Sequence, residues 1–177
     1  LYDAHLLIKD ERLDIRLYGQ LDMRSSLMAT MDIRCEQFDS YPLFSSDADG
    51  SHARMRFNAS TEIAGKDADD VSGSLVVDSF FLATELDSIM MRQLQLHLDA
   101  DANRKTITLH SDYLNGQVDG SFRYADIIPA CHSLLHRYLP SIIPSPRSSC
   151  HGVSFTMYAE GNRLTEVQRL FDAPFAV

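Results

Sequence analysis

From Gln93 to Ala102 the apolar side chains fall on alternate positions: Leu94, Leu96, Leu98, Ala100 and Ala102. Between them stand Gln93, Gln95, His97, Asp99 and Asp101. A period of two sends one set to a dry face and the other to water, the mark of a half-buried strand. The same rhythm returns along most of the chain. In residues 13–24, Leu13, Ile15, Leu17, Leu21 and Met23 alternate with Asp14, Arg16, Asp22 and Arg24, and Gly19 marks an expected bulge or bend. In residues 27–36, Leu27, Ala29, Met31, Ile33 and Cys35 oppose Thr30, Asp32, Arg34 and Glu36. Residues 52–63 set Ala53, Met55, Phe57, Ala59, Thr61 and Ile63 inward, and residues 1–8 and 74–83 are further strands. Residues 86–91 are ambiguous. Residues 106–111 point Ile107 and Leu109 inward, residues 117–124 Val118, Gly120, Phe122 and Tyr124, and residues 153–159 Val153, Phe155 and Met157.

Turn chemistry separates these runs. Lys9-Asp10-Glu11, Ser25-Ser26, the acidic stretch 65–73 and Asn103-Arg104-Lys105 read as turns, and Asn115-Gly116 as a hairpin signal. Residues 38–51, with Pro42 and Gly50, and the Pro/Ser-rich residues 141–152 read as loops. Short half-polar strands joined this way make a meander of antiparallel neighbours.

One segment has a different period. Ile127, Ile128, Cys131, Leu134, Leu135, Tyr138 and Leu139 recur at helical spacing, and Ala130, His132, Ser133, His136 and Arg137 take the other side. Asp126 is the expected N-cap, with Pro129 in the first turn and Pro140 as the stop. A short helix is expected at residues 164–171 through Leu164, Val167, Leu170 and Phe171. The expected fold is therefore mainly β: a curved, largely antiparallel sheet with one amphipathic helix near 126–139 and a short one near 164–171. Residues 1–140 form one unit, 141–152 a loop, and 153–177 either part of that unit or the start of another.

Of 177 residues, 25 are acidic and 16 basic, a net charge of −9. That balance argues against nucleic acid and against adhesion to anionic lipid head groups. No apolar run approaches the ~18 residues of a membrane helix. The chain starts at Leu1 rather than Met, which reads as a mature form or a piece of a longer protein. Its three cysteines, Cys35, Cys131 and Cys150, are not a disulfide framework, although one pair could bridge in an oxidising compartment. Cys35 and Cys131 lie on apolar faces and read as core residues.

Candidate chemistry is sparse. His132 and His136 share a helix face at a spacing that can hold zinc, with Cys131, Cys150 and His151 nearby in sequence. Cys131 belongs to the apolar stripe and no Glu accompanies the histidines as in a metalloprotease helix, so surface histidines are the favoured reading. Asp99, Asp101 and Asn103 open like a calcium loop, but Arg104 stands where Gly belongs and His110 where Glu belongs. There is no Gly-x-Ser-x-Gly elbow, phosphate loop or dinucleotide fingerprint. The expectation is a protein that is not an enzyme and carries no metal or cofactor. What remains is a large amount of one-sided strand. If its apolar side is open, it can hold acyl chains, since each buried methylene is worth about 0.8 kcal/mol. The candidate lining residues are Leu94, Leu96, Leu98, Ile107, Leu109, Val118, Phe122, Val153 and Phe155. Periodicity alone favours a closed core.

Three stretches carry a family resemblance. They are Gly65, Gly73 and Leu75 in a Gly-x7-Gly-x-Leu pattern, then residues 94–101, then residues 105–138. The most telling run is 105–124, in which a strand leads through Asn115-Gly116-Gln117-Val118-Asp119-Gly120 to another strand, then to a helix ending in Tyr138-Leu139-Pro140. Over about half the chain this order resembles the AsmA-like superfamily, most closely its TamB-type translocation and assembly module proteins of Bacteroidetes-like bacteria. The resemblance implies a periplasmic segment of an envelope protein anchored in the inner membrane elsewhere in its chain. It implies an apolar trough that passes phospholipid towards the outer membrane, and a possible outer-membrane assembly barrel as partner. Under it, Gly116 and Gly120 are turn positions and Leu109, Val118 and Phe122 face the lining. The alternative is a structural or protein-binding domain whose apolar face is closed core and whose edge strand recruits such a partner.

Overall fold

The computed structural model describes residues 1–39, 53–67, 69–84, 87–101, 104–138, 153–163 and 165–166. Nine strands form one antiparallel sheet, curved and unclosed, in which spatial order equals chain order. They are β1 (Tyr2–Lys9), β2 (Leu13–Asp22), β3 (Leu27–Asp39), β4 (Arg54–Gly65), β5 (Val71–Ala83), β6 (Ser88–Asp101), β7 (Arg104–Ser111), β8 (Leu114–Ser121) and β9 (Ser154–Gly161). One helix, α1 (Tyr124–Tyr138), lies between β8 and β9 in sequence. Among the described elements the substantial contacts all join neighbouring strands, and no described element forms a second layer over the sheet. β9 pairs with β8 along its whole length and continues the same sheet.

Register carries the alternation across the molecule. Leu21, Ala29, Ile63, Gly73, Leu98, Ile107, Val118 and Met157 stand directly opposite one another in turn, from β2 to β9. The next row is Gly19, Met31, Thr61, Leu75, Leu96, Leu109, Gly116 and Ala159, and the one after it Leu17, Ile33, Ala59, Val77, Leu94 and Ser111. Because opposite residues in a ladder share a face, these rows make one apolar surface. The other surface carries charge and amide: Asp22–Arg24, Arg34–Glu36, Arg92–Asp112 and Arg104–Asp119 are ion pairs there.

Past the third row the rhythm breaks in a line across the sheet. On β3, Ile15 pairs with Cys35 but Asp14 pairs with Gln37, so Glu36 is an extra residue. On β5, Asn58 pairs with Asp78 and Arg56 with Phe81, so Ser79 and Phe80 together face Phe57. Ser79 takes a left-handed φ of 56° to make that bulge. On β6, Arg92 and Gln93 are both exposed in succession. Each skipped residue reverses parity, which returns Phe38, Phe80, Leu82, Ile89 and Met91 to the apolar side instead of turning them out. A further row, Leu13, Phe38, Met55, Leu82 and Ile89, forms beyond this crease.

Several local expectations are corrected. Gly19 pairs in register with Ala4 and Met31, so the bend is at Glu36 and not there. Asn115 and Gly116 lie inside β8, opposite Glu160 and Ala159. The β7–β8 turn is made instead by Ser111, whose Oγ accepts the Leu114 N–H at 2.9 Å and donates to the Leu114 carbonyl at 2.9 Å. Arg104 and Lys105 open β7 rather than turning the chain. Phe38 and Asp39 extend β3, residues 88–91 begin β6, and residues 71–73 begin β5. The rest of the 38–51 loop, the 141–152 loop and most of the 164–171 helix fall outside the described residues.

The helix also starts earlier than Asp126 would set it. Tyr124 is its first residue, and the Tyr124 N–H donates to Asp69 Oδ1 at 2.7 Å. A carboxylate from the β4–β5 turn thus fills the capping role, fifty-five residues away in sequence. Asp126 sits in the first turn and Pro129 inside the helix, where its missing N–H removes a hydrogen bond to the Ala125 carbonyl.

Candidate functional site

Among the described residues the apolar face has two closed ends and an uncovered middle. Six described hydrophobic residues are buried: Cys35, Val71, Met91, Tyr113, Phe122 and Ala130. Val71 begins β5, Phe122 follows β8 and Ala130 lies on α1, all at the helix end of the strands. Cys35, Met91 and Tyr113 gather at the creased end. The three rows between are half-buried on β2 through β8 and more exposed on β9, where Met157 is 36% exposed.

At the helix end, Asp69 ties three elements together. It accepts the Tyr124 N–H, and the Lys105 ammonium lies 3.1 Å from its carboxylate and 4.7 Å above the Tyr124 ring. Tyr124 Oη donates to the Val71 carbonyl at 2.9 Å. Phe122 packs edge-on against Tyr124 and Phe155, with ring centroids 6.1 and 6.5 Å apart. Burial alone would raise the Asp69 pKa. The hydrogen bonds from Tyr124 and Lys105, and the positive charge of Lys105, outweigh it and leave the carboxyl below its ordinary value. Burial, with the charge of Asp69 behind it, pushes the Tyr124 phenol up.

At the creased end, Tyr113 Oη donates to the Met90 carbonyl at 3.0 Å, and the Arg163 guanidinium lies 5.4 Å from its ring centre. The Arg92 N–H donates to Asp112 Oδ2 at 2.8 Å. Cys35 is a free thiol, 1% exposed, with its sulfur 3.9 Å from the Met55 carbonyl. Burial and then the charge of Asp14 push its pKa up, so it stays protonated and unreactive.

Leu94, Leu96, Leu98, Ile107, Leu109, Val118 and Phe155 stand on the shared face on β6 to β9, by register with one another or through Gly116 and Gly120. All seven are half-buried. Val153 precedes β9 and is half-buried too, whereas Phe122 is 7% exposed and belongs to the closed helix end. The neighbours contributed by β2 to β5, among them Leu17, Ile33 and Leu75, equally belong to this face. Alternation marked Leu17 and Ile33 inward and left the facing of Leu75 open, and register alone puts all three beside Leu94 and Leu96.

Gly120 lets β9 approach. A Cβ there would meet the Ser154 carbonyl and stand 2.6 Å from Phe155 Cα, whereas at Gly116 its nearest neighbour would be the Tyr158 carbonyl at 3.4 Å. His132 and His136 are half-buried on α1, and Cys150 and His151 fall outside the described residues. Among the described residues no three His, Cys, Asp or Glu side chains cluster as metal ligands. No described helix is long and apolar enough to cross a membrane. No protein-family model, curated protein or solved structure matches this chain.

Proposed function

We propose that this chain is a non-enzymatic lipid-carrying segment whose apolar sheet face holds phospholipid acyl chains. We further propose that it works in the bacterial periplasm as part of an AsmA-like, TamB-type envelope protein that supplies the outer membrane. The observation that carries the first reading is the middle of the sheet: three continuous apolar rows, half-exposed, with no described layer over them. Two of them run from β2 to β9, about 34 Å across the strands, and the third from β2 to β7; together they span about 14 Å along the strands. That projected area, roughly 430 Å², matches the largest apolar patch of a typical soluble monomer, a patch that is often functional. Curvature makes such a face a trough, and the charged outer face keeps the other side in water.

A lipid tail suits this surface better than a compact ligand does. The rows are long, narrow and nearly free of polar groups apart from Thr61 at the centre and Ser111 at one edge. Binding there needs only contact with methylenes, each worth about 0.8 kcal/mol when buried. The assignment to the envelope family rests on the residues of the 65–75 and 94–138 stretches. Native mass spectrometry of the protein purified from bacterial cells tests the lipid reading. Phospholipid adducts are expected, and their loss on Leu96→Asp or Val118→Asp in a protein that remains folded. An unliganded mass that does not change on incubation with phospholipid would rule out carriage by this segment.

A further inference from the structure

We propose that two copies of this chain join through β1, edge to edge, so that the apolar face continues from one copy into the other. β1 is the outermost strand, and its outer backbone edge pairs with no described strand. It lacks two of the features that protect free edges: its eight residues contain no proline, and its pairing with β2 is unbroken by a bulge from Tyr2 to Lys9. It also exposes apolar side chains on both faces, with Tyr2 70%, Leu6 46% and Leu7 59% exposed.

The sequence of β1 complements itself in one antiparallel register. With Leu6 of each copy on the two-fold axis, Asp3 faces Lys9, Ala4 faces Ile8 and His5 faces Leu7. Opposite charges then meet twice, once on each side of the axis. Even-numbered residues face even-numbered ones, so Ala4, Leu6 and Ile8, which stand opposite Gly19, Leu17 and Ile15 of β2, keep to the apolar side throughout. The Gln20 amide already donates to Asp3 Oδ1 at 3.0 Å and holds that carboxylate on the outer face.

Topology selects this joint over the alternative. The sheet has nine antiparallel strands, an odd number, so β1 and β9 run the same way. Head-to-tail stacking by translation would set β1 parallel to β9 of the next copy, against the pattern of the rest of the sheet. A two-fold β1–β1 joint is antiparallel and closes after two copies. β9 pairing with itself has no such complement, since Glu160 is its single charged residue. One eight-residue strand on each side makes a smaller contact than the ~1,200 Å² of a stable interface, so association is expected to depend on concentration.

Sedimentation velocity over a concentration series tests this on the whole chain. A monomer–dimer equilibrium is expected. Asp3→Lys and Lys9→Asp should each weaken it about tenfold, by turning two attractions into two repulsions. The double exchange should restore wild-type affinity, which a merely misfolded variant cannot do. Hydrogen exchange on the unaltered protein supplies a mutation-free readout: those amides of residues 3–9 that point away from β2 should gain protection as the dimer forms. A monomer at every concentration, association indifferent to the exchanges, open-ended oligomers, or unchanged β1 protection would each overturn the proposal.

Discussion

The two ends of the sheet are closed by different means, and no described element closes the middle. At the helix end a distant carboxylate, a lysine and an aromatic trio hold α1 against the strand termini. At the creased end the described closure comes mainly from the strands, with Glu166 beside Tyr113. Skipped residues at Glu36, Ser79 and Arg92 swing additional apolar side chains inward, and Tyr113 folds over them to reach the Met90 carbonyl. Each end thereby buries three hydrophobic residues, and the rows between bury none of theirs fully. Closing the ends in this way gives the described sheet cohesion while its three central rows stay half-exposed.

The largest effect should separate an end from the middle. Phe122→Ala removes a buried ring that touches both Tyr124 and Phe155 and should cost about 3 kcal/mol. Leu96→Asp, in the centre of the open strip, should cost about 1–2 kcal/mol, because its carboxylate can reach water. Urea denaturation of both variants measures the contrast. A Leu96→Asp protein that is unfolded without denaturant would show that the middle is closed core, and the comparison would collapse.

A smaller effect distinguishes two glycines of β8. Gly120→Ala sets a methyl against the Ser154 carbonyl and Phe155 Cα, so β9 must move away and the Phe122–Phe155 contact loosens. Overpacking of this kind costs about 1–3 kcal/mol. Gly116→Ala meets only an ordinary contact with the Tyr158 carbonyl and should stay within about 0.5 kcal/mol of wild type. Equal melting temperatures for the two variants would mean that β9 is not held by close approach at Gly120.

This contrast also explains what was legible in the sequence. Strict alternation gave β2, the body of β3, β4 and the run from Leu94 to Leu109, because each has one wet and one dry face. It failed at the crease: after Glu36 the apolar residue falls at Phe38, and before Arg92 at Met91, so the period appears lost although the face is kept. Asn115-Gly116 carries a strong local turn preference, but Ser111 satisfies the backbone of the next residues first and pulls the turn forward. The helix cap was invisible for another reason. Asp69 is a local turn residue in sequence, and only folding brings it to Tyr124. Of the candidate lining residues, those on β6 to β9 were readable from their own strands. Their partners on β2 to β5 required register, and Phe122 required knowing where the helix begins.

The smallest effect concerns that cap, and its sign follows from the depressed Asp69 pKa. A carboxyl held below its ordinary value contributes stability that is fully present above the unfolded aspartate pKa, about 3.9. The contribution is lost as the pH falls through the lower folded value. Asp69→Ala deletes the acceptor for the Tyr124 N–H and should cost about 1 kcal/mol at neutral pH, as other lost caps do. The difference in melting temperature between wild type and Asp69→Ala should therefore be constant from pH 7 to about pH 5, shrink below about pH 4, and vanish at lower pH. Asp69→Asn keeps an acceptor for the Tyr124 N–H but loses the charge facing Lys105, and should fall between the two at neutral pH. The creased end has a depressed carboxyl of its own, Asp112, held down by hydrogen bonds from Arg92, and it is the same in both proteins. Thermal melts in a Phe122→Ala background, in which the helix end is already weakened, should show a smaller Asp69 effect. If Asp69→Ala and wild type instead diverge further in acid, the carboxylate is not what holds α1, and the helix end is closed by packing alone.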